Sequence, residues 1–299
     1  METDDKPPAR LTTARSRELG QELRQARKHA GLGGTAFCEE LEWSTAKLSK
    51  LEMGWRGTSD WEIGTFLGKS GADKATRERI MRLAQEPDLG YFVRRHAGAT
   101  SDGLLCLVMH QRSALTLTSY DTMVVPGLLQ SVAYAKALLE TTGANGFDDV
   151  DDLMVARLDR QEHLRAREDS RSTFYLHEAA LRLVVGGPRT MHDQMMRLAF
   201  MCEWPHLTLR VVPFTAPGHP ALRYSSALMT FPRHAKPLVY AESDLTTVFL
   251  EEERAIAFYE EKQSVLDALA LSAEQSHAVF RHWANVYDLA DGREAATSN

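Results

Sequence analysis

Groups that can read a DNA duplex are concentrated in residues 44–56 of the 299-residue chain. The Thr45 hydroxyl can hydrogen-bond a base edge, the Ala46 methyl can contact the methyl of thymine, and Lys50 can reach N7 and O6 of guanine. Such contacts carry sequence information, because each base pair presents its own pattern in the major groove. The segment has the chemistry for direct readout if one helix presents these side chains together.

Neighbouring groups can contact the phosphate backbone. Lys47 and Arg56 can neutralise phosphates, which adds affinity without sequence information. A helix is predicted to begin at Gly34 or Thr35, and the free backbone N–H groups at such an end can bind a phosphate. We therefore expect phosphate contacts on either side of the base-reading residues.

The sequence also supplies the helix that must position these groups. Ser44 can cap its N-terminus, and Leu48 and Leu51 lie three residues apart on its inward side. Ser49 then lies on the outward side, with the base-reading residues. A short helix over residues 36–41 and a three-residue turn come first, which is the helix-turn-helix arrangement.

Apolar spacing over residues 16–85 predicts five short helices. Helices this short can bury their apolar stripes only against one another, so a compact all-α domain is expected. The plain alternative is a helical bundle whose third helix is merely polar on its outer side.

Composition and charge limit the class of protein. Hydrophobic residues make up 43% and charged residues 25% of the chain, as in globular proteins, and the net charge is −6. Residues 6–56 reverse that sign with ten Lys or Arg against six Asp or Glu, which is compatible with a DNA-facing surface. No apolar run is typical of a membrane span or a secretory signal. Three distant cysteines argue against a disulfide framework or a zinc knuckle, so a cytoplasmic protein is expected.

Helix and strand patterns alternate beyond residue 102. Strands are predicted at 173–176, 207–212, 227–231, 238–242 and 246–250, and helices at 128–140, 153–167, 191–202, 252–270 and 273–290. The strand–helix–strand unit over 173–212 predicts two parallel strands joined by a right-handed crossover. The expected fold is an all-α helix-turn-helix N-terminal domain followed by an α+β C-terminal domain with a small mixed sheet.

These patterns predict two domains with flanking and connecting segments. The predicted segments are a flexible arm (1–14), a helix-turn-helix DNA-binding domain (15–86), a connector (87–102), a C-terminal regulatory or partner-binding domain (103–290) and a tail (291–299).

The helix-turn-helix segment resembles the Cro and phage-repressor (XRE) family. The features that carry the resemblance are the Gly31-Leu32 turn, the Ala36 helix, the Ser44 cap and Glu52 just ahead of Gly54. The resemblance implies an ion pair between Arg27, near the end of the first helix, and Glu52, at the end of the third. Family members commonly carry Ser-Gln or Thr-Gln after the glycine turn. This chain has Gly33-Gly34-Thr35 instead, so it lacks the glutamine–phosphate contact.

The resemblance extends over the C-terminal region. Distinctive segments are Val125–Gln130 with Tyr134-Ala135, Glu178–Leu181, Val212–Phe214 with Gly218–Pro220, and Tyr240–Glu242. In this order they are similar to the large actinobacterial family of WhiJ-like regulators. That resemblance implies a transcription factor, often a repressor, with a C-terminal domain of unknown function. It also implies a small acidic partner protein encoded nearby, in an antitoxin-like arrangement.

Five C-terminal residues are candidates for a surface that binds a partner or an effector: Arg157, Arg160, Glu178, His219 and Glu242. The two glutamates would end strands, where paired carboxylates can be catalytic. They can equally accept hydrogen bonds from the two arginines, and this structural interpretation is favoured.

Catalytic and metal sites are not expected. His177-Glu178 begins like a zinc-protease motif, but that motif needs a second histidine at position 181, which is Leu. No nucleophile elbow and no phosphate-binding loop is present. We predict no metal, no cofactor and no enzyme activity.

The sequence predicts a DNA-binding transcriptional regulator. Three hypotheses describe how the chain functions. In the first, a homodimer reads a palindromic operator with its two reading helices about 34 Å apart, and the C-terminal domain binds a small partner protein or an effector. In the second, the chain is an antitoxin-like interaction protein that sequesters a partner, with DNA binding secondary. In the third, the C-terminal domain senses a ligand or is an enzyme, which a large pocket with convergent polar groups would favour.

Overall fold

The computed structural model describes residues 11–55, 58–95, 102–141, 150–232 and 234–297. The chain divides into two compact units. The N-terminal unit comprises Met1–Tyr91 together with Phe231–Lys236, and the C-terminal unit comprises Phe92–Thr230 and Pro237–Asn299.

Five helices form the described part of the N-terminal unit, as predicted. They are α1 (Ala14–His29), α2 (Gly34–Leu41), α3 (Thr45–Glu52), α4 (Asp60–Lys69) and α5 (Lys74–Gln85). Their apolar sides share one core, in which Leu23, Phe37, Phe66 and Ile80 are completely buried. The rings of Phe37 and Phe66 meet edge to face with centroids 4.7 Å apart. Short helices are stable here because each one buries its apolar stripe in this common core.

Side-chain caps fix where these helices begin. Ser44, Ser59 and Asp73 each accept a hydrogen bond from the backbone N–H three residues further on. That hydrogen bond lowers the pKa of the Asp73 carboxyl, because it favours the charged form. Polar residues of this kind satisfy N–H groups that would otherwise lack a partner at the start of a helix.

The predicted flexible arm, 1–14, differs from the structure in its last residues. Residues 1–10 lie outside the described part of the chain. The Thr12 N–H donates a hydrogen bond of 2.6 Å to the His234 carbonyl, and Thr13 forms a capping box with Ser16 at the start of α1. Residues 12–14 are therefore part of the folded unit.

The turn between α2 and α3 contains a backbone conformation that residues other than glycine rarely adopt. Glu42 ends α2 with φ 56° and ψ 38°, in the left-handed region. Its N–H reaches the Glu39 carbonyl, and Ser44 then caps α3. Left-handed backbone costs about 1–2 kcal/mol for a residue with a Cβ, so this turn is formed at a local energetic cost.

Among the described residues, a seven-stranded sheet is the centre of the C-terminal unit. Its strands are β1 (Tyr91–Arg95), β2 (Thr116–Asp121), β3 (Arg171–His177), β4 (Leu207–Val212), β5 (Ser226–Thr230), β6 (Leu238–Glu242) and β7 (Thr246–Leu250). The order across the sheet is β1-β7-β6-β5-β2-β3-β4. Strands β2, β3 and β4 run parallel, whereas the pairs β2–β5, β5–β6 and β6–β7 are antiparallel.

The helices of this unit are α6 (Asp102–Ser113), α7 (Val132–Thr141), α8 (Val150–Ala166), α9 (Glu178–Arg182), α10 (Pro188–Met201), α11 (Glu253–Leu269) and α12 (Ala273–Thr297). A turn of 3-10 helix spans Pro220–Leu222. Within the described ranges, none of the helices is both long and apolar enough to cross a membrane.

Side chains alternate along each strand, so the sheet has two distinct faces. One face carries Tyr120 and Tyr175, and α11 packs against it. Ser119, Ala227 and Tyr240 lie side by side in register on β2, β5 and β6 and share the other face. This second face is the floor of a cavity.

The predicted small sheet is wrong, because two of the seven strands were not predicted. The five predicted strands are present with ends within two residues, and β3 and β4 are parallel as expected. The predicted connector, 87–102, contains strand β1, and β2 occupies 116–121 at the centre of the sheet. The predicted tail, 291–299, also differs, since α12 continues to Thr297.

We predict that Glu42→Gly stabilises the protein by about 1 kcal/mol, because glycine adopts the left-handed conformation without a steric cost. Urea denaturation followed by circular dichroism measures the change. Glu39→Gly is the matched control, since it places glycine at an exposed helical position of α2 and should destabilise by about 1 kcal/mol. A Glu42→Gly variant no more stable than the parent chain contradicts the assignment of strain to this turn.

Candidate nucleic-acid interface

The predicted base-reading residues lie on one side of α3 or at its start. Exposed there are Ser44, Thr45, Ala46, Ser49 and Lys50. On the opposite side Leu48 and Leu51 are 4% and 3% exposed and pack in the helical core. Since α2 and α3 are separated by the three residues 42–44, the structure has the predicted helix-turn-helix arrangement with a polar outer side on its second helix.

Two lysines on α3 differ in their surroundings. The Lys47 ammonium lies 2.6 Å from the Glu62 carboxylate and 3.9 Å from the centre of the Trp43 ring. A phosphate that binds Lys47 must therefore compete with Glu62, which the sequence did not suggest. Lys50 is exposed and makes no ion pair with any described residue, so its ammonium is available to a ligand. Arg56, the other predicted phosphate contact, lies outside the described residues.

The start of α2 offers backbone donors. Gly33 is the N-cap residue and provides no side-chain hydrogen bond, while Thr35 is exposed in the first turn. No side-chain oxygen of the cap residue therefore satisfies the first N–H groups of α2. A phosphate oxygen can bind at such an end, where the helix dipole also favours negative charge.

A buried ion pair connects α3 to α1. Arg27 Nε donates to Glu52 Oε1 at 2.6 Å and Arg27 Nη2 donates to Glu52 Oε2 at 2.9 Å, a bidentate arrangement. Both side chains are about 10% exposed, and Arg27 Nη1 also donates to the Leu32 carbonyl at 2.7 Å. The hydrogen bond to Glu52 raises the pKa of Arg27. The structure thus contains the pair that the family resemblance implied.

Glycines allow the same two helices to approach closely. A Cβ on Gly20 of α1 would lie 2.6 Å from the Glu52 carbonyl oxygen and 2.7 Å from that of Leu51. A Cβ on Gly54, which has φ +72°, would lie 2.5 Å from the Ser16 carbonyl oxygen. The position of α3 is therefore set by backbone contact as well as by the ion pair.

Acidic groups precede the interface along the chain. Glu39 and Glu40 on α2 and Glu42 in the turn are all exposed. The segment that carries the candidate DNA contacts is therefore of mixed charge, and its affinity for phosphate must come from a few positions such as Lys50 and the start of α2.

Three of the five C-terminal candidates come together at a cavity. Arg157, Arg160 and Glu242 line a space of about 490 Å³ between the sheet and helices α6 and α8. Glu178 and His219 lie elsewhere. Glu178 accepts a hydrogen bond of 2.9 Å from the backbone N–H at position 214, and His219 accepts one of 3.1 Å from the backbone N–H at position 221.

The predicted hydrogen bonds from Arg157 and Arg160 to the two glutamates are wrong. Arg157 donates to the side-chain oxygen of Gln130, and Arg160 donates twice to Gln111, at 3.1 and 2.9 Å. Amide oxygens, not carboxylates, are the partners of both guanidinium groups. Glu242 instead accepts a hydrogen bond of 2.6 Å from the Tyr240 hydroxyl on the same strand.

Several cavity residues had not been predicted, and Asp121 is the most informative. It lies at the end of β2 with Ser119 as hydrogen-bond donor, and burial raises the pKa of its carboxyl to about 7. The nearby Glu242 charge raises this pKa further, while Ser119 and Lys262 oppose the shift. A carboxylate at the carboxyl end of a strand is the sequence signal that could have found it, but β2 itself was not predicted.

Comparison with known proteins gives two domain matches. Residues 18–80 match a helix-turn-helix domain, and residues 105–282 match the domain of unknown function DUF5753. No curated protein matches the chain.

One solved structure with detectable similarity is described as "Structure of TrmBL2, an archaeal chromatin protein, shows a novel mode of DNA binding". It is 15% identical, the match covers 71% of this chain and 67% of that one, and the TM-score is 0.29. This TM-score is too low to support an argument about fold or function.

Replacing Arg27 with methionine should lower the free energy of unfolding by up to about 3–5 kcal/mol, because the mostly buried Glu52 carboxylate keeps only the half-exposed Arg24, whose Nε lies 4.0 Å away. Lys74→Met removes a lysine from the exposed Lys74–Glu78 pair and should change stability by less than about 0.5 kcal/mol. Chemical denaturation of both variants measures the difference. Similar losses in the two variants would show that the buried pair does not hold α3.

Proposed function

We propose that this chain, which belongs to the DUF5753 family, is a sequence-specific DNA-binding regulator of transcription. The observation that carries the proposal is α3: its exposed side presents Thr45, Ala46 and Lys50, while its other side is fixed in the core. The helix-turn-helix match over residues 18–80 supports DNA as the partner.

In this proposal the N-terminal part of α3 enters the major groove. Thr45 and Ala46 lie in its first turn, where base edges are normally contacted, and Lys50 lies one turn further along. Lys50 donates to guanine, and the start of α2 contacts a phosphate beside the groove. A rigid attachment of α3 matters because a hydrogen bond to a base edge weakens steeply when its length or angle departs from the preferred geometry.

The finer features of the proposal come from the family resemblance. We propose an XRE-type, WhiJ-like regulator that acts in the cytoplasm as a homodimer and represses transcription by occupying a palindromic operator. Two reading helices related by a two-fold axis contact half-sites about 34 Å apart. The C-terminal domain is proposed to receive the regulatory signal from a small partner protein or an effector.

We also propose that the C-terminal domain binds without catalysing a reaction. The thiol of Cys202 supports this view, because burial raises its pKa to about 11. Thiols of this kind are poor nucleophiles at neutral pH, since the thiolate is the reactive form.

The first test is selection of genomic DNA fragments by the purified protein at roughly 150 mM salt, where nonspecific phosphate contacts are weakened. We expect enrichment of one palindrome. Lys50→Ala should reduce discrimination at one base pair of each half-site by about 1–3 kcal/mol. Lys69→Ala, on the exposed end of α4, is the control and should leave the selected sequence unchanged.

Two outcomes would count against this assignment. If Lys50→Ala discriminates between operator and mismatched operator as the parent chain does, Lys50 is not a base contact. If no sequence is enriched, the antitoxin-like alternative, in which DNA binding is secondary to sequestering a protein, becomes the better explanation.

A second prediction concerns the Lys47–Glu62 pair. Glu62→Gln should strengthen binding to all duplexes and steepen the dependence of log K on log salt by about 0.9, because Lys47 becomes available to one phosphate. Glutamine retains the capping interaction at the start of α4, so the fold should be unaffected. Glu78→Gln, which removes a carboxylate on α5, is the control. An unchanged salt slope in Glu62→Gln excludes Lys47 as a phosphate contact.

A further inference from the structure

The cavity of the C-terminal unit has the size of a small-molecule site. Its volume is about 490 Å³, within the range of about 300–1,000 Å³ that is usual for ligand pockets. The sheet forms its floor, and residues of α6 and α8 form its walls. Part of the lining is apolar and includes Leu104, Leu107, Leu153 and Phe174. The remainder is strongly polar, so the cavity is not a simple packing defect.

The two arginines of this cavity are hydrogen-bonded to neutral groups, and the charge of Glu242 acts on both only from beyond ion-pair distance. Among the described residues, no carboxylate lies within ion-pair distance of Arg157 or Arg160, and both groups donate only to amide oxygens. Burial lowers the pKa of Arg157, and lowers that of Arg160 to about 10, so both remain charged at neutral pH. Buried charge is costly unless it is paired, and two adjacent arginines also repel each other. An anionic group from outside the protein would satisfy both.

A negative region adjoins the arginines. Asp121 and Glu242 both line the cavity, each with a hydroxyl donor, Ser119 and Tyr240 respectively. The charge of Glu242 influences the pKa of Asp121 and of both arginines, which places all four groups in one electrostatic cluster. The ammonium of Lys262 is occupied, because it donates to the Tyr224 carbonyl at 2.6 Å and to the Ser226 hydroxyl at 2.8 Å.

We propose that the cavity binds a small zwitterionic molecule with an apolar body. Its carboxylate or phosphate contacts Arg157 and Arg160, its amino group contacts Asp121 and Glu242, and its body lies against the leucine-rich wall. Arginine suits the anionic end because its planar fork donates two parallel hydrogen bonds to such a group. The proposal identifies a chemical class of effector for the proposed regulator, but the binding itself does not depend on DNA.

The test uses ω-amino acids as probes with the full-length chain. Isothermal titration calorimetry is carried out with 8-aminooctanoate, with 6-aminohexyl phosphate, and with octanoate and octylamine, which each lack one charged end. We expect the protein to bind at least one zwitterion. Each single-ended analogue should bind to the protein at least about tenfold more weakly than that zwitterion, because it lacks the charge-assisted hydrogen bonds of one end. Preference between the two zwitterions shows whether the anionic end is a carboxylate or a phosphate.

Two variants locate the ends of the ligand. Arg160→Met should weaken both zwitterions and octanoate by about tenfold or more, and Asp121→Asn should weaken the zwitterions and octylamine but not octanoate. Arg165→Met is the matched control, because Arg165 lies on the same helix, is 68% exposed and pairs with Glu162. It should bind all probes as the parent chain does.

The thermal unfolding temperature of each variant, measured without ligand, shows whether a loss of binding comes from a folding defect. Arg160→Met should unfold at the same or a higher temperature than the parent chain, because it removes a buried charge that has no ionic partner. The proposal is overturned if neither zwitterion binds at about 10 mM, a concentration that detects even millimolar affinity, or if Arg160→Met binds them unchanged. DNA binding by Arg160→Met is measured in parallel and should be normal, so a failure here is distinguishable from a failure of the DNA-binding proposal.

Discussion

The bidentate contact between Arg27 and Glu52 is the interaction on which the N-terminal unit depends. A helix of eight residues has little stability by itself, and only two of the side chains of α3, Leu48 and Leu51, are anchored in the core. The ion pair fixes the C-terminal end of this helix, and Ser44 fixes its N-terminal end. A buried pair of this kind contributes geometry more than net stability, because the Coulombic gain is offset by desolvation.

This arrangement limits how the interface can recognise DNA. Gly20 lets the backbones of α1 and α3 touch, so α3 cannot shift toward α1 without a clash. With Lys47 paired to Glu62 and three glutamates exposed on the preceding segment, nonspecific attraction to phosphate is modest. Recognition must then rely on well-placed contacts from a rigid helix, and a second copy of the helix on the same duplex would multiply a weak individual affinity.

The sequence predicted the elements whose signals are local and failed where contacts are distant. Ser44 caps α3 as expected, since a cap and its helix are adjacent in sequence. Strand β2 escaped prediction because its cavity side carries Ser119 and Asp121, and so its apolar alternation is interrupted where it lines the polar site. The partners of the arginines could not be predicted either. Arg160 and Gln111 are 49 residues apart, and only the packing of α6 against α8 brings them together.

The buried arginines of the two units have different kinds of hydrogen-bond partner. Arg27 is buried against a carboxylate of the same chain, so its charge is balanced before any partner arrives. Arg157 and Arg160 are held by neutral amides in a space large enough for a small molecule. Amide partners orient a guanidinium without neutralising it, which leaves its remaining N–H donors and its full charge for another group. A fold that needed these arginines only for stability would gain more by closing the cavity with apolar side chains, because well-packed apolar groups often replace buried ions without loss. Two guanidinium groups without an ion-pair partner, beside a space of this size, therefore point to a ligand.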